Sequence, residues 1–73
     1  MQTTDIMIHI NGSLDADQQQ AIESELREIK GVIAPRLDQP HLLVVLYDAD
    51  TTSSSALLNA VKNKGYQAQL VGL

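Results

Sequence analysis

Cysteine is absent from this chain of 73 residues, and so are Phe and Trp. Without thiols there is no disulfide and no zinc–thiolate cluster to staple a small fold. Tyr47 and Tyr66 are the only aromatics, so the core has to be built from Ile, Leu and Val. At this length such a core is adequate but marginal. Basic charge is scarce: five Lys and Arg stand against nine Asp and Glu, a net charge of −4. The chain therefore lacks both the charge that neutralises phosphates and the rings that stack on bases, which argues against nucleic-acid binding. Anionic membrane surfaces are disfavoured for the same electrostatic reason. No apolar run approaches the ~20 residues of a membrane span. Met1-Gln2-Thr3-Thr4-Asp5 offers no basic segment ahead of an apolar one, so no signal peptide is expected. One cytoplasmic domain covering residues 1–73 is the expectation.

What is present is a clear order of elements. Asp5 to Ile10 alternates, with Ile6, Ile8 and Ile10 on one side and Met7 and His9 on the other, as in a half-buried strand. Gly12 and Ser13 break it, and Asp15 with Gln18 three residues on has the form of a capping box. A helix to about Lys30 follows, with Ile22, Leu26 and Ile29 inward and Glu23–Arg27 a favourable pair outward. Lys30-Gly31 closes it with a cation and a glycine. Val32 to Leu37 reads as a second strand, and Pro35 within it calls for a sheet edge. Asp38-Gln39-Pro40 turns into a third strand, His41 to Tyr47, apolar almost without a break. A polar connection from Asp48 to Ser55 holds a helix N-cap at Thr51, Thr52 or Ser53. Leu57, Leu58 and Val61 give that helix its buried side, Lys62, Lys64 and Gly65 end it, and Tyr66 to Val71 is a short fourth strand.

The order β-α-β-β-α-β predicts an α+β, ferredoxin-like two-layer sandwich. Right-handed crossovers give an antiparallel sheet in the order 4-1-3-2 with both helices on one face. Pro35 on an edge strand and the apolar third strand in the centre agree with that order.

The chain resembles the heavy-metal-associated (HMA) domain, the ferredoxin-like module of copper chaperones and metal-pumping ATPases. The matching residues are Ile10-x-Gly12, Ile22-Glu23-x-x-Leu26, Gly31-Val32, Val45-x-Tyr47-Asp48, Leu57-x-x-Ala60-Val61 and Gly65-Tyr66-x-Ala68. Each piece is weak alone, and the ordered set covers nearly the whole chain. The resemblance implies a metal loop in which a Gly-Met pair precedes two cysteines three residues apart. Here the Met position is Ser13 and the cysteine positions are Asp15 and Gln18. Cu(I) selects sulfur over carboxylate or amide, so thiolate-based metal transfer is not expected of a degenerate member.

Other chemistry is thin. Asp15, Asp17 and Gln18 offer oxygen ligands to a hard cation, but two flexible carboxylates hold one poorly and suit a helix N-terminus better. His9 and His41 lie at the same end of the proposed sheet, and with Asp38 could form a Zn²⁺, Ni²⁺ or Cu²⁺ site. Simple alternation sets the two rings on opposite faces unless the chain bends near Pro40. Tyr66 is expected to plug the end of the core. No nucleophile–base–acid set and no phosphate loop is visible, so neither catalysis nor a cofactor is expected.

The remaining feature is apolar surface. If Leu43, Val45 and Tyr47 face the helices, Leu42, Val44 and Leu46 face away, joined by Met7 with His9 at the margin. These would expose about 200–400 Å² on the open face of a two-layer fold, a size that marks interaction sites on small proteins. The competing expectation is that the stems of Arg36, Gln67 and Gln69 cover them. The leading expectation is a non-enzymatic module that dimerises or docks a protein partner through Met7, His9, Leu42, Val44 and Leu46. The alternatives are a metal binder using histidine and carboxylate, and a domain that binds a small regulatory ligand.

Overall fold

A computed structural model describes residues 2–12, 14–39 and 41–71. Strand β1 (Thr3–Ile10) leads to helix α1 (Ala16–Arg27), strands β2 (Val32–Gln39) and β3 (Leu42–Asp48), helix α2 (Ser54–Asn63) and strand β4 (Ala68–Leu70). The sheet order is β2-β3-β1-β4, and every pairing is antiparallel. This is the expected 4-1-3-2 order read from the other edge, and the chain is a ferredoxin-like sandwich.

Strand alternation decides what is buried. Ile8, Ile10, Leu43 and Val45 are fully buried, and Tyr47 nearly so, against Ile22 and Leu26 of α1 and Leu57 and Val61 of α2. Each fully buried aliphatic side chain contributes about 1.5–3 kcal/mol. Leu14 seals the loop end of this core, and Tyr66, half-buried, packs against it as a plug.

Pro35 shows how an edge strand is made. The Leu37 N–H turns away from β3 and donates to the Glu23 carboxylate at 3.1 Å. Pro35 has the same parity, so the N–H it lacks would have pointed out of the sheet, and its ring is buried instead. Glu23 thus blunts the open edge rather than pairing with Arg27 as the helical spacing suggested. An exposed ion pair joins the end of α2 to α1, Lys64 to Glu25 at 3.3 Å, an arrangement worth about 0–1 kcal/mol.

Element ends differ from the sequence pattern in ways that matter below. Helix α1 stops at Arg27 with Glu28 as C-cap, not at Lys30, and Ile29 packs on the core from a turn whose N–H reaches back to Leu26. Gly31 ends that turn at a φ of +99°. The ladder of β2 slips between Val32 and Ala34 and again between Leu37 and Gln39. Asp38 and Gln39 therefore belong to a bulged strand and not to the turn. Strand β3 begins at Leu42, so His41 lies in a turn, while Pro40 is outside the described residues.

The β3–α2 connection is organised by Asp48. Its carboxylate accepts from the Asp50 N–H at 3.0 Å, the Thr51 hydroxyl at 3.0 Å and the Gln2 N–H at 3.2 Å. The Asp50 N–H above all, then the Thr51 hydroxyl, holds the Asp48 carboxyl below the usual carboxylate range. Ser53, one of the three expected caps, accepts from the Ala56 N–H and starts α2. The same connection crosses Gly31 closely: a Cβ at Gly31 would lie 2.9 Å from the Thr51 Cβ. Gly31→Ala therefore combines left-handed backbone strain with a steric clash. It should lower unfolding stability by about 2–4 kcal/mol in urea denaturation, and a loss under about 1 kcal/mol would show that the turn relaxes freely.

Candidate functional site

Two regions come out of this fold: the loop between β1 and α1, and the sheet face that no helix covers.

In the loop, Asp15 and Gln18 cap α1 reciprocally. The Gln18 N–H donates to Asp15 Oδ1 at 2.8 Å, and the Asp15 N–H donates to Gln18 Oε1 at 3.0 Å. Two of the four orphan N–H groups of the first turn are satisfied in this way. The Gln19 side-chain amide closes the loop further by donating to the Leu14 carbonyl at 2.9 Å. Asp17 adds negative charge where the helix dipole favours it. Of the three residues at the family's metal-loop positions, Asp15 and Gln18 are thus committed to backbone groups, and Ser13 lies outside the described residues. These donors do not fit a soft monovalent ion: they carry no sulfur, and Asp15 Oδ1 and Gln18 Oε1 already accept hydrogen bonds.

The uncovered face follows from the register. Met7 sits opposite Val44, His9 opposite Leu42 and Asp5 opposite Leu46 across the β1–β3 ladder. On the far side of β3, Arg36 lies beside Val44 and Ala34 beside Leu46. On the far side of β1, the Val71 N–H donates to the Met7 carbonyl at 2.9 Å, which puts Val71 in the Met7 row. Leu42, Val44 and Leu46 face away from the helices as expected, but they are half-buried. Neighbouring side chains across the pleat shade them, so the central strand exposes less than its composition implied. Met7 and Val71, 37% and 39% exposed, are the open apolar members of the face. A shallow depression of about 210 Å³ lies over Val44 and Leu46, bounded by Asp5, Ala34 and Arg36, because Ala34 is too short to fill its row.

The expected cover is only partly there. Arg36 and Gln69 stand next to the patch, in the Val44 and His9 rows. Gln67 does not: its side-chain Oε1 accepts from the Asn11 side-chain amide at 3.4 Å in the loop. Val71 belongs to this face through its pairing with Met7, a membership that strand periodicity alone does not assign.

At the margin of the face the two imidazoles meet. Ring centroids of His9 and His41 are 5.4 Å apart with planes at 64°. Alternation along a strand had set them on opposite faces, and it fails because His41 lies in a turn, outside the pleat. Asp38 does not join them. It is the extra residue of the bulge between Leu37 and Gln39, out of register with the row that leads to His9. Among the described residues no group of three or more His, Cys, Asp or Glu is placed to hold a metal ion. His9 Nδ1 is buried without a hydrogen-bond partner, an arrangement that costs on the order of 1–3 kcal/mol.

The cap gives a direct test of the loop. Asp15→Ala should destabilise the protein by about 1 kcal/mol in thermal or urea unfolding, and Asp15→Asn should retain most of the stability because Asn caps as well. Equal losses in both variants would mean that the carboxylate serves something other than the cap.

No family model matches the sequence, and no curated protein matches it significantly. Solved structures match closely in fold. The N-terminal domain of a potential copper-translocating P-type ATPase from Bacillus subtilis, solved in its Cu(I)-loaded state, is 29% identical. The match covers 97% of this chain and 90% of that one, with a TM-score of 0.86. Oxidised MerP from Ralstonia metallidurans CH34 is 18% identical over 97% of this chain and 100% of its own, with a TM-score of 0.86. A putative copper-ion-binding protein from Bacillus anthracis is 19% identical over 93% of this chain and 97% of its own, with a TM-score of 0.84. Among the described residues no helix is long and apolar enough to cross a membrane. In fold and in its ordered set of matching residues the chain is similar to domains of the heavy-metal-associated type, and its sequence carries no thiol.

Proposed function

We propose that this chain is a non-enzymatic protein-interaction module that works without the family's loop-bound metal, associating through its open sheet face. The observation that carries this reading is the face itself. Met7 and Val71 are exposed beside a half-buried row of Leu42, Val44 and Leu46, and among the described residues no helix or strand lies over them. Paired loss and retention support it. Solved structures of the same fold include copper-binding domains, whereas here the corresponding loop is spent on capping a helix. What stays available for function is a rigid sheet presenting an apolar centre between Asp5 and Arg36. Such a patch resembles the core of a small interface with a charged rim. Its half-buried centre limits the area gained, so association through it should be weak to moderate unless Met7 and Val71 seat in a complementary surface.

Position 44 offers a sharp test, because it lies at the middle of the face and outside the core. Val44→Asp should leave the circular dichroism spectrum and cooperative unfolding intact while abolishing self-association in sedimentation velocity, or partner capture. A wild-type protein that is monomeric at high concentration, with partner binding indifferent to Val44→Asp, would remove the proposal.

A further inference from the structure

The paired imidazoles belong neither to the loop cap nor to the core cluster, and they are placed for a chemistry of their own. We propose that His9 and His41 form a two-histidine site for a borderline divalent cation, with Zn²⁺ the best fit. Neither residue is among Ser13, Asp15 and Gln18, the positions that the resemblance assigns to a metal loop.

Geometry supplies the first argument. A ring nitrogen bound to zinc lies ~2.1 Å from the metal, which sets each ring centroid ~3.2 Å from it. Two centroids 5.4 Å apart then subtend an angle of ~115° at a shared ion, close to the tetrahedral value. Planes inclined at 64° are compatible with this, since each ring is free to turn about its metal–nitrogen axis.

The backbone supplies the second. The His41 carbonyl accepts from the Ile10 N–H at 2.8 Å, which ties the turn to the end of β1 one residue beyond His9. The backbone that carries the two rings is therefore tied together, His9 on β1 and His41 in the turn that leads into β3. Only side-chain rotation remains to be ordered when an ion arrives.

The third argument is the buried Nδ1 of His9. It has no hydrogen-bond partner and no access to solvent, so an ion from solvent has to approach His9 through Nε2. A second imidazole lies 5.4 Å away between ring centroids, and paired imidazoles are donors that a transition metal selects. Imidazole suits Zn²⁺, Cu²⁺ and Ni²⁺, whereas Ca²⁺ and Mg²⁺ require oxygen cages. The net charge of −4 raises the local concentration of any cation. Two histidines fill two of the four positions of tetrahedral zinc and leave the others to water or an incoming ligand.

Titration of the full chain with zinc chloride, followed by calorimetry and by the imidazole NMR signals, tests the site. One equivalent should bind, with the His9 and His41 ring signals moving together. His41→Gln, which changes an exposed residue, should keep the backbone amide spectrum and weaken binding by at least about tenfold, the scale on which even outer-shell partners act. His9→Gln should do the same. Ring signals that stay still in excess zinc, or variants that bind as tightly as the wild type, would overturn the proposal by assigning any uptake to surface carboxylates.

Discussion

The antiparallel pairing of β1 with β3 is the constraint on which the rest of this molecule depends. Seven successive partners, from Thr3–Asp48 to His9–Leu42, lock the two central strands in one register. Because the side-chain period of a strand is two, that register assigns every residue of both strands to a face at once. Ile6, Ile8 and Ile10 go to the helices together with Leu43, Val45 and Tyr47. Met7, His9, Leu42, Val44 and Leu46 go to the other side. A slip of one residue would exchange the two sets and bury an imidazole and a carboxylate, so the aliphatic core protects the register and the open face at the same time.

The loop after β1 is held by a different economy. A helix N-terminus leaves N–H groups that need oxygen acceptors. Asp15 and Gln18 provide them reciprocally, at distances of 2.8 and 3.0 Å. The same geometry that would present two sulfurs to an ion presents, with these residues, an acceptor to each of two backbone donors. Stability and soft-metal affinity thus compete for one pair of positions, and the residue types decide between them. The scaffold needs no metal to close this end, since Leu14 and Tyr66 seal it from inside.

Much of this was legible in the residues because it rests on periodicity and local donor–acceptor chemistry. Alternating isoleucines identified β1, Pro35 identified the edge, and the three-residue spacing of Asp15 and Gln18 identified the cap. The misses share one cause: departures from regular backbone. The turn at His41 freed that side chain from strand parity and brought it to His9. The bulge at Asp38 removed a carboxylate from the same neighbourhood. The early end of α1 at Arg27 moved Ile29 into a turn without taking it out of the core. Ile33, beside the other slip in β2, is left 47% exposed. None of these follows from pattern, because bulges and turn geometry depend on which neighbours the finished sheet provides. Face membership of Val71 was a different kind of miss, since the information was present and only the pairing of β4 with β1 made it usable.

The central claim is that a fold shared with copper-binding domains is here occupied by helix-cap chemistry at the metal loop. Competition for Cu(I) against a high-affinity chromogenic chelator, under reducing anaerobic conditions, addresses it most directly. Imidazole and capped carboxylate are poor competitors for a soft ion, so the chelator should keep all of its copper as protein is added. Transfer of one equivalent of Cu(I) to the protein would contradict the account.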